Sequence, residues 1–327
     1  MGWIDSGVPK EDVVARFFEA GRAVVAEVDG AAEAMATTMP GDLQFGETTL
    51  AFTGVTSVTA GRVARKSGAA ASATAEALAR DAEAGVVLAG LSMFEQGYYD
   101  RLGFGTGSYE HIVSFDPATL TVPYGDRLPK RVDPEHVEAI HSARLGRMRS
   151  FASVNLHCRE ITEIAMSESK NGFGLGFFER DEPTHLLWAS SRGENGPYEI
   201  AFMAYRSWAE FVELLGVLRR LGDQVRLVKM VEPPGFQMQS VLSRPFRSQM
   251  SSRGGRYENS IHAEAFWQLR ILDLPRFVSA LRFPECEPVS FALELEDPIA
   301  AHLPERNGWR GIGGRYVVTL GPDSAAT

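Results

Sequence analysis

The sequence predicts an α/β protein of the α+β mixed-sheet type, divided into two or three domains. Its 327 residues exceed one ordinary hydrophobic core, because domains cluster near roughly 100–150 residues. Segments in which apolar residues recur at every second position, as in strands, alternate with segments in which they recur at every third or fourth position, as in helices. A helix–strands–helix–strand order occurs in residues 1–118, and a similar mixed order follows, which indicates two α/β units.

The composition limits the classes of partner. Hydrophobic residues make up 44% of the chain and charged residues 23%, as in soluble globular proteins. No apolar run reaches the roughly 18 residues that span a bilayer, and residues 1–10 lack a secretory signal, so we expect a cytoplasmic protein without a membrane partner. Acidic residues outnumber basic ones 42 to 33, which argues against nucleic acid and favours a cationic substrate.

Metal ligation is not predicted. Cys158 and Cys286 lie far apart without a CxxC pattern, so neither a disulfide framework nor a zinc site is indicated. His136 and His141 are five positions apart and would point in different directions from a helix. We therefore expect no metal site.

The first predicted domain, residues 1–118, combines a β-meander with two helices. Asp29-Gly30 is a two-residue hairpin signal between β-branched runs. Gly68 precedes an Ala-rich segment and Gly85 follows it, which marks both ends of a helix. The predicted elements are a helix at 9–20, strands at 22–28, 33–39 and 48–60, a helix at 69–84 and a strand at 86–92.

Prolines between Pro117 and Pro134 interrupt the pattern and predict a domain boundary near residue 118. A second domain, residues 119–275, and a final segment, residues 276–327, follow. That segment is short for an independent core. The predicted elements are helices at 135–149 and 208–221, strands at 184–189, 198–205, 224–231 and 266–272, and, in the final segment, a helix followed by strands at 289–296 and 315–320.

A short motif between the predicted strand 48–60 and the predicted helix 69–84 points to an anion site. Residues 65–70 read R-K-S-G-A-A, which has the form R-x-x-G-x-A. Free N–H groups and the helix dipole attract anions at such a position, and Gly68 lets the backbone approach a pyrophosphate closely. The alternative is an Ala-rich helix start whose Arg65 is merely solvated.

A second motif lies some 30 residues downstream. Residues 97–105 read G-Y-Y-D-R-L-G-F-G and follow a predicted buried strand. Tyr99 in this stretch offers a phenol that can act as an acid. The alternative is that Tyr99 is a half-buried aromatic residue packed at a strand end.

The two motifs, in this order and spacing, resemble those of the GCN5-related N-acetyltransferase (GNAT) family, which read [RQ]-x-x-G-x-[GA] and F-Y-x-x-x-G-F. The resemblance implies that acetyl-CoA is the acyl donor and that the amine attacks the thioester directly. It implies that the strand at 58–60 binds the pantetheine arm through its backbone and that the loop holds the pyrophosphate. Tyr99 would then protonate the departing thiolate.

More of the chain resembles the enhanced intracellular survival branch of that family. Residues 267–275 read W-Q-L-R-I-L-D-L-P and are similar to its W-x-R-[LIV]-x-D stretch, and residues 100–105 to its x-R-F-G-Y-G. The likeness implies tandem GNAT domains, the second degenerate, a partial sterol-carrier-like (SCP2-like) C-terminal segment and a homo-oligomer. The family and branch resemblances together imply these cofactor-binding residues, of which only the last comes from the branch: Val58, Thr59, Ala60, Arg65, Lys66, Ser67, Gly68, Ala69, Ala70, Ala71 and Glu95.

We therefore expect an acetyl-CoA-dependent N-acetyltransferase for a small cationic amine. Aminoglycosides, polyamines and lysine side chains remain open as substrates. No general base is assigned: Glu95, Glu110 and His111 lie near the Tyr99 motif in sequence, but each is better explained as a surface or packing residue. The alternative function is non-catalytic binding or sensing of acyl-CoA or lipid by the same fold.

Overall fold

The computed structural model describes residues 11–92, 97–150, 152–244, 255–305 and 308–327. The α-helices are α1 Glu11–Ala20, α2 Ala69–Glu83, α3 Val137–Leu145, α4 Glu160–Ser167, α5 Trp208–Arg220 and α6 Leu274–Ser279. The strands are β1 Arg22–Val28, β2 Ala31–Phe45, β3 Thr48–Ala60, β4 Leu88–Ser92, β5 Gly105–Thr106, β6 Glu110–Phe115, β7 Lys130–Val132, β8 Ser153–Leu156, β9 Phe173–Glu179, β10 Glu182–Ser191, β11 Tyr198–Ala204, β12 Val228–Val231, β13 Ser260–Glu264, β14 Trp267–Ile271, β15 Val289–Leu295, β16 Gly314–Leu320 and β17 Ala325–Ala326.

The first sheet has the strand order β1-β2-β3-β4-β14-β5, with β8 paired to part of β2. Strands β1, β2 and β3 form the predicted antiparallel meander, and Asp29-Gly30 makes its first turn with positive φ angles of 52° and 78°. Strand β4 then runs parallel to β3, which requires a crossover. Helix α2 is that crossover.

Helix α2 is packed closely because its inward face is built from small residues. Ala75, Leu78 and Ala79 are completely buried in a cluster that also contains Leu91 of β4. The Asp81 side chain on the same helix accepts a hydrogen bond from buried Thr53 at 2.9 Å. Helix and sheet are thus joined by apolar packing and one buried polar contact.

The second sheet, ordered β13-β6-β12-β11-β10-β9-β7, repeats this arrangement. Strands β11 and β12 are parallel and are connected by α5, as β3 and β4 are connected by α2. The core of this unit includes Phe211 and Leu215 of α5. The predicted helix 208–221 is thus confirmed as α5, and it forms the crossover of a second α/β unit.

The third sheet contains β15, β16 and β17 in that order, all antiparallel. Helix α6 covers one end of it through Leu274 and Val278, which pack against Val318. On the edge strand β15, Val289 and Phe291 are exposed, at 60% and 43%. This small sheet has little core of its own.

The sheets do not follow the predicted domain limits. Strand β6 precedes residue 118 but pairs with β12 and β13 in the second sheet. Strand β14 precedes residue 275 but pairs with β4 and β5 in the first sheet. Strand β8 likewise joins the first sheet through β2. The first and second sheets therefore each contain strands from both sides of the predicted boundary at residue 118.

Some predicted elements differ in extent. The predicted helix 135–149 is a short 3₁₀ turn, Pro134–His136, followed by the shorter α3, and the predicted strand 224–231 begins only at Val228. The strands before residue 184 in the second unit and helix α4 were not predicted. No helix in the described ranges is long and apolar enough to cross a membrane.

Candidate functional site

The site begins where β3 and β4 separate. The two strands are paired only over Phe52–Leu88, Thr53–Ala89 and Gly54–Gly90. Beyond Gly54, β3 continues to Ala60 beside β2, whereas β4 ends at Ser92 beside β14. The edge of β3 that faces away from β2 is therefore not paired with β4 over residues 55–60. Val58, Thr59 and Ala60 lie on this stretch and are half-buried.

A β-bulge changes the direction of β3 at the same place. Thr56 pairs with Thr37 and Thr59 with Met35, so β3 has one residue more than β2 in this interval. Ser57, inside the bulge, has a φ of 51°. Such a bulge turns the strand away from its neighbour and leaves backbone groups unpaired, which widens the opening between β3 and β4.

The predicted anion loop leads from β3 into α2. Lys66 and Gly68 have positive φ angles of 63° and 90°, and Gly68 is the residue that caps α2. The Ser67 hydroxyl donates to the Ala64 carbonyl at 2.7 Å and accepts from the Ala69 N–H at 3.2 Å. The Ala70 and Ala71 N–H groups belong to the first turn and have no acceptor within the helix.

Two cationic residues and a glycine flank this helix start. Arg65 and Lys66 are exposed. A Cβ atom added to Gly68 would have no neighbour within 4 Å, so the helix start opens directly to solvent. The loop therefore has the free N–H groups, helix dipole and positive charge that an anion site needs.

Tyr99 begins a 3₁₀ turn, Tyr99–Leu102, a few residues beyond the end of β4. Its side chain is only 8% exposed and makes edge-to-face contacts with Tyr98 at 4.9 Å and Phe104 at 5.8 Å between ring centroids. Burial raises the pKa of the neighbouring Tyr98 hydroxyl, and the Thr74 hydroxyl partly offsets this. The Tyr99 ring is thus packed against two aromatic neighbours.

The three predicted parts of the site meet at one cluster. Tyr99 belongs to the buried cluster beneath α2, and Val58 from β3 and Ala71 from the helix start pack against that cluster. Residues separated by some 40 positions in sequence are thereby brought to the place where β3 and β4 diverge. Glu95 lies outside the described residues.

Two other residues considered as bases are engaged elsewhere. The Glu110 side chain accepts a hydrogen bond from the Trp267 indole at 2.6 Å. His111 lies 3.9 Å from Glu232, measured from Nδ1 to Oε2. Both belong to β6 in the second sheet. No group of three or more His, Cys, Asp or Glu residues among the described positions could hold a metal ion.

Sequence reasoning missed the residues that surround the Tyr99 turn. Strand β14 places Gln268 and Arg270 against this turn from the opposite end of the chain. The alternation of these two polar residues with Leu269 and Ile271 was the available signal. The W-x-R resemblance covered this strand, but it did not indicate where the strand lies.

Comparison with known families agrees with this geometry. Residues 5–107 match the sequence model of the family described as acetyltransferase (GNAT) domain. This part of the chain is a GNAT domain. The predicted N-acetyltransferase family is thereby confirmed for this domain, which contains the loop, the separated strands and Tyr99. No curated protein sequence matches the chain.

Solved structures share the fold over almost the whole chain. A probable N-acyltransferase from Enterococcus faecalis is 16% identical with a TM-score of 0.74, over 98% of this chain and 78% of the other. A GCN5-related N-acetyltransferase from Kribbella flavida is 17% identical with a TM-score of 0.69, over 100% and 79%. Eis1 from Mycobacterium abscessus is 17% identical with a TM-score of 0.71, over 98% and 79%. The predicted likeness to the enhanced intracellular survival branch is thus confirmed for the fold.

Proposed function

We propose that the chain transfers the acetyl group of acetyl-CoA to the primary amine of a small cationic substrate. One observation carries this proposal: Tyr99 lies in a buried cluster against which Val58 of β3 and Ala71 at the start of α2 also pack, at the opening between β3 and β4. That opening offers a place for an extended acyl carrier with its phosphates at one end and an acid at the other.

The cofactor would be held mainly by backbone. The pantetheine arm would add to the unpaired edge of β3 at Val58, Thr59 and Ala60, in the way that an extended peptide adds to a sheet edge. The pyrophosphate would accept hydrogen bonds from N–H groups at the start of α2, with Arg65 and Lys66 adding positive charge. The Ser67 hydroxyl, now bound to the Ala69 N–H, would release that donor.

The chemistry is acyl transfer in a ternary complex. The amine nitrogen forms a bond with the thioester carbonyl carbon, and collapse of the tetrahedral intermediate breaks the carbon–sulfur bond. Tyr99 would give its phenolic proton to the departing thiolate. A backbone N–H group near the β3 bulge would stabilise the oxyanion. We assign no residue as the base that deprotonates the amine.

The second α/β unit would not bind acetyl-CoA, because acceptors from the chain itself already bind N–H groups at the start of its crossover helix. At the start of α5 the Ser207 hydroxyl accepts a hydrogen bond from the Glu210 N–H, and a Glu210 carboxylate oxygen accepts one from the Arg206 N–H at 2.5 Å. Acceptors from the chain itself thus already bind N–H groups at and just before this helix start, which leaves fewer donors for a phosphate. We therefore propose a tandem GNAT arrangement with one acetyl-CoA site per chain.

Calorimetric titration with acetyl-CoA tests the cofactor site. We expect one binding event per chain for the wild type and none for Gly68→Asp, whose carboxylate would repel the phosphates. Gly235→Asp is the matched control, because Gly235 also has a positive φ, 78°, and open space around it, but lies in the second unit. Equal binding by the wild type and Gly68→Asp would show that the loop does not hold the cofactor.

Turnover tests the reaction. Release of free CoA thiol is measured with a panel of aminoglycosides, polyamines and lysine peptides. For a substrate found in this way, Tyr99→Phe should lower kcat by about 10²–10⁴-fold and leave acetyl-CoA binding unchanged. Unchanged turnover would remove Tyr99 from the mechanism. Binding without turnover of any amine would favour the alternative, a non-catalytic acyl-CoA-binding protein.

We also propose that the chain forms a homo-oligomer and that its third sheet belongs to an SCP2-like segment. The support for the oligomer is the exposure of Val289 and Phe291 on β15, since large apolar side chains exposed side by side are typical of contact surfaces. The SCP2-like segment rests on the resemblance to the enhanced intracellular survival branch. Light scattering after size-exclusion chromatography tests the first point. A single-chain mass at all concentrations would contradict it.

A further inference from the structure

Strand β14 reaches the Tyr99 turn from a distant part of the sequence. It lies between β4 and β5, where Gln268 pairs with both Leu91 and Thr106. Because successive side chains point to opposite faces of a sheet, Gln268 and Arg270 share the face of Leu91 and the Tyr99 cluster. Leu269 and Ile271 instead pack into the cluster on the other face. The polar residues of β14 therefore face the turn that carries Tyr99.

Gln268 contacts the residue after Tyr99. Its side chain is 1% exposed, and its Nε2 donates to the Asp100 carboxylate at 3.0 Å. Its Oε1 is buried and has no hydrogen-bond partner within the part of the chain that the structure describes. Burying an amide without satisfying both of its ends costs free energy. Packing alone would favour an apolar residue here.

Arg270 contacts the other end of the turn. Its guanidinium donates to the Leu102 carbonyl and to Asp297, the latter at 2.5 Å, and both side chains of this ion pair are at most 5% exposed. Burial lowers the pKa of Arg270 and Asp297 opposes this. The Asp297 carboxylate also accepts the Ile299 and Ile312 N–H groups at 3.1 and 2.8 Å. The Arg270 guanidinium is thus held in place by Asp297, a residue of the C-terminal segment.

The glycine of the Tyr99 motif fits this arrangement. Gly103 has a φ of 76°, and a Cβ atom there would lie 1.9 Å from Nη1 of Arg270. The guanidinium therefore occupies the space that only a glycine leaves free. Gly103 of the 97–105 motif and Arg270 of the 267–275 motif therefore contact each other.

We propose that Gln268 and Arg270, the latter fixed by Asp297, are positioning residues for Tyr99; this rests on the acyl transfer proposed above. The turn has two internal backbone bonds, from Gly103 N–H to Asp100 at 3.0 Å and from Phe104 N–H to Tyr99 at 3.2 Å. Strand β14 adds a side-chain bond at each end. A phenol displaced by about 1 Å transfers a proton poorly, so these bonds act on catalysis.

Gln268→Met tests the proposal with little change in volume. Hydrogen exchange followed by mass spectrometry should show peptides covering 99–104 exchanging about tenfold faster, with α2 peptides unchanged. kcat should fall about 10- to 100-fold, while the acetyl-CoA dissociation constant stays within about twofold. Asp100→Asn, which keeps an acceptor oxygen for Gln268, is the conservative control and should retain both exchange and kcat near wild-type values.

Each result decides one point. Unchanged exchange at 99–104 in Gln268→Met would overturn the proposal whether or not the enzyme is active. Faster exchange with unchanged kcat would overturn the link to catalysis. A wild type that binds acetyl-CoA but acetylates no amine would instead refute the proposed reaction, and with it the catalytic role of the two residues, while the exchange data would still report whether Gln268 holds the turn.

Discussion

Gly103→Ala should destabilise the protein far more than its small size suggests. A left-handed φ costs an L-residue about 1–2 kcal/mol. The new methyl group would also displace the Arg270 guanidinium, whose Nη1 lies 1.9 Å from the Cβ position. Removing one partner of a buried ion pair costs about 3–5 kcal/mol, which is the upper limit for pushing the guanidinium away from Asp297. The expected loss in the free energy of unfolding therefore exceeds the backbone part and is at most about 7 kcal/mol.

Gly30→Ala separates the two contributions. Gly30 has nearly the same φ, 78° against 76°, but a Cβ atom there meets nothing within 4 Å. It should therefore lose only the backbone part, about 1–2 kcal/mol. Urea unfolding followed by tryptophan fluorescence measures both variants, and Trp309, whose ring lies 5.5 Å from the Arg270 guanidinium, reports locally. Losses that agree within about 1 kcal/mol would refute the contact with Arg270 as the cause.

Three further changes have expected outcomes. Ile299→Ala should cost about 2–5 kcal/mol in urea unfolding, because Ile299 is fully buried in the Tyr99 cluster. Ser207→Ala should cost about 0.5–2 kcal/mol in the same assay, since it removes the cap of α5. Burial acts to raise the pKa of Asp42, but hydrogen bonds from His157 and Arg149 outweigh this and lower the pKa below its ordinary 3.8. The stability that the Asp42 carboxylate contributes is therefore fully present above pH 3.8 and is lost as the pH falls through the lower pKa of Asp42 in the folded protein. The difference in the free energy of unfolding between wild type and Asp42→Asn should shrink over this range in acid titrations.

Opposite results would identify the faulty step in each case. A cost below about 1 kcal/mol for Ile299→Ala would mean that the C-terminal segment does not pack on the Tyr99 cluster. Ser190→Ala, outside any helix cap, is the control for Ser207→Ala and should be close to neutral. A wild-type advantage over Asp42→Asn that stays constant down to pH 2 would show that the Asp42 carboxyl titrates normally.

The local structure of the loop proposed to bind the cofactor was predictable because its signals are local. A glycine between a β-branched run and an Ala-rich run predicts the start of a helix, and Gly68, with a φ of 90°, is the residue that caps α2. The limits of the predicted strand 48–60 are those of β3. Propensity and tertiary structure agree along this stretch.

The remainder depended on contacts between distant residues. Strand β9 contains Gly174 and Gly176, which weaken any strand signal, yet a Cβ atom at either would lie within 3 Å of a neighbouring backbone oxygen, so close packing explains these glycines. The position of Gln268 opposite Asp100 depends on pairing across 168 residues. No pattern confined to a short window carries that information.

The exchange of strands between the first two sheets affects how this chain can fold during its synthesis. The GNAT domain ends near residue 107 in sequence, but β4 lacks its neighbour β14 until residue 271 has left the ribosome. Until then the emerging chain presents an unpaired sheet edge, which is prone to aggregation. A fragment of the first 118 residues, an apparently natural choice for expression, would keep that edge permanently open. The GNAT match is local in sequence, but the sheet that it covers is completed by a strand from residues 267–271.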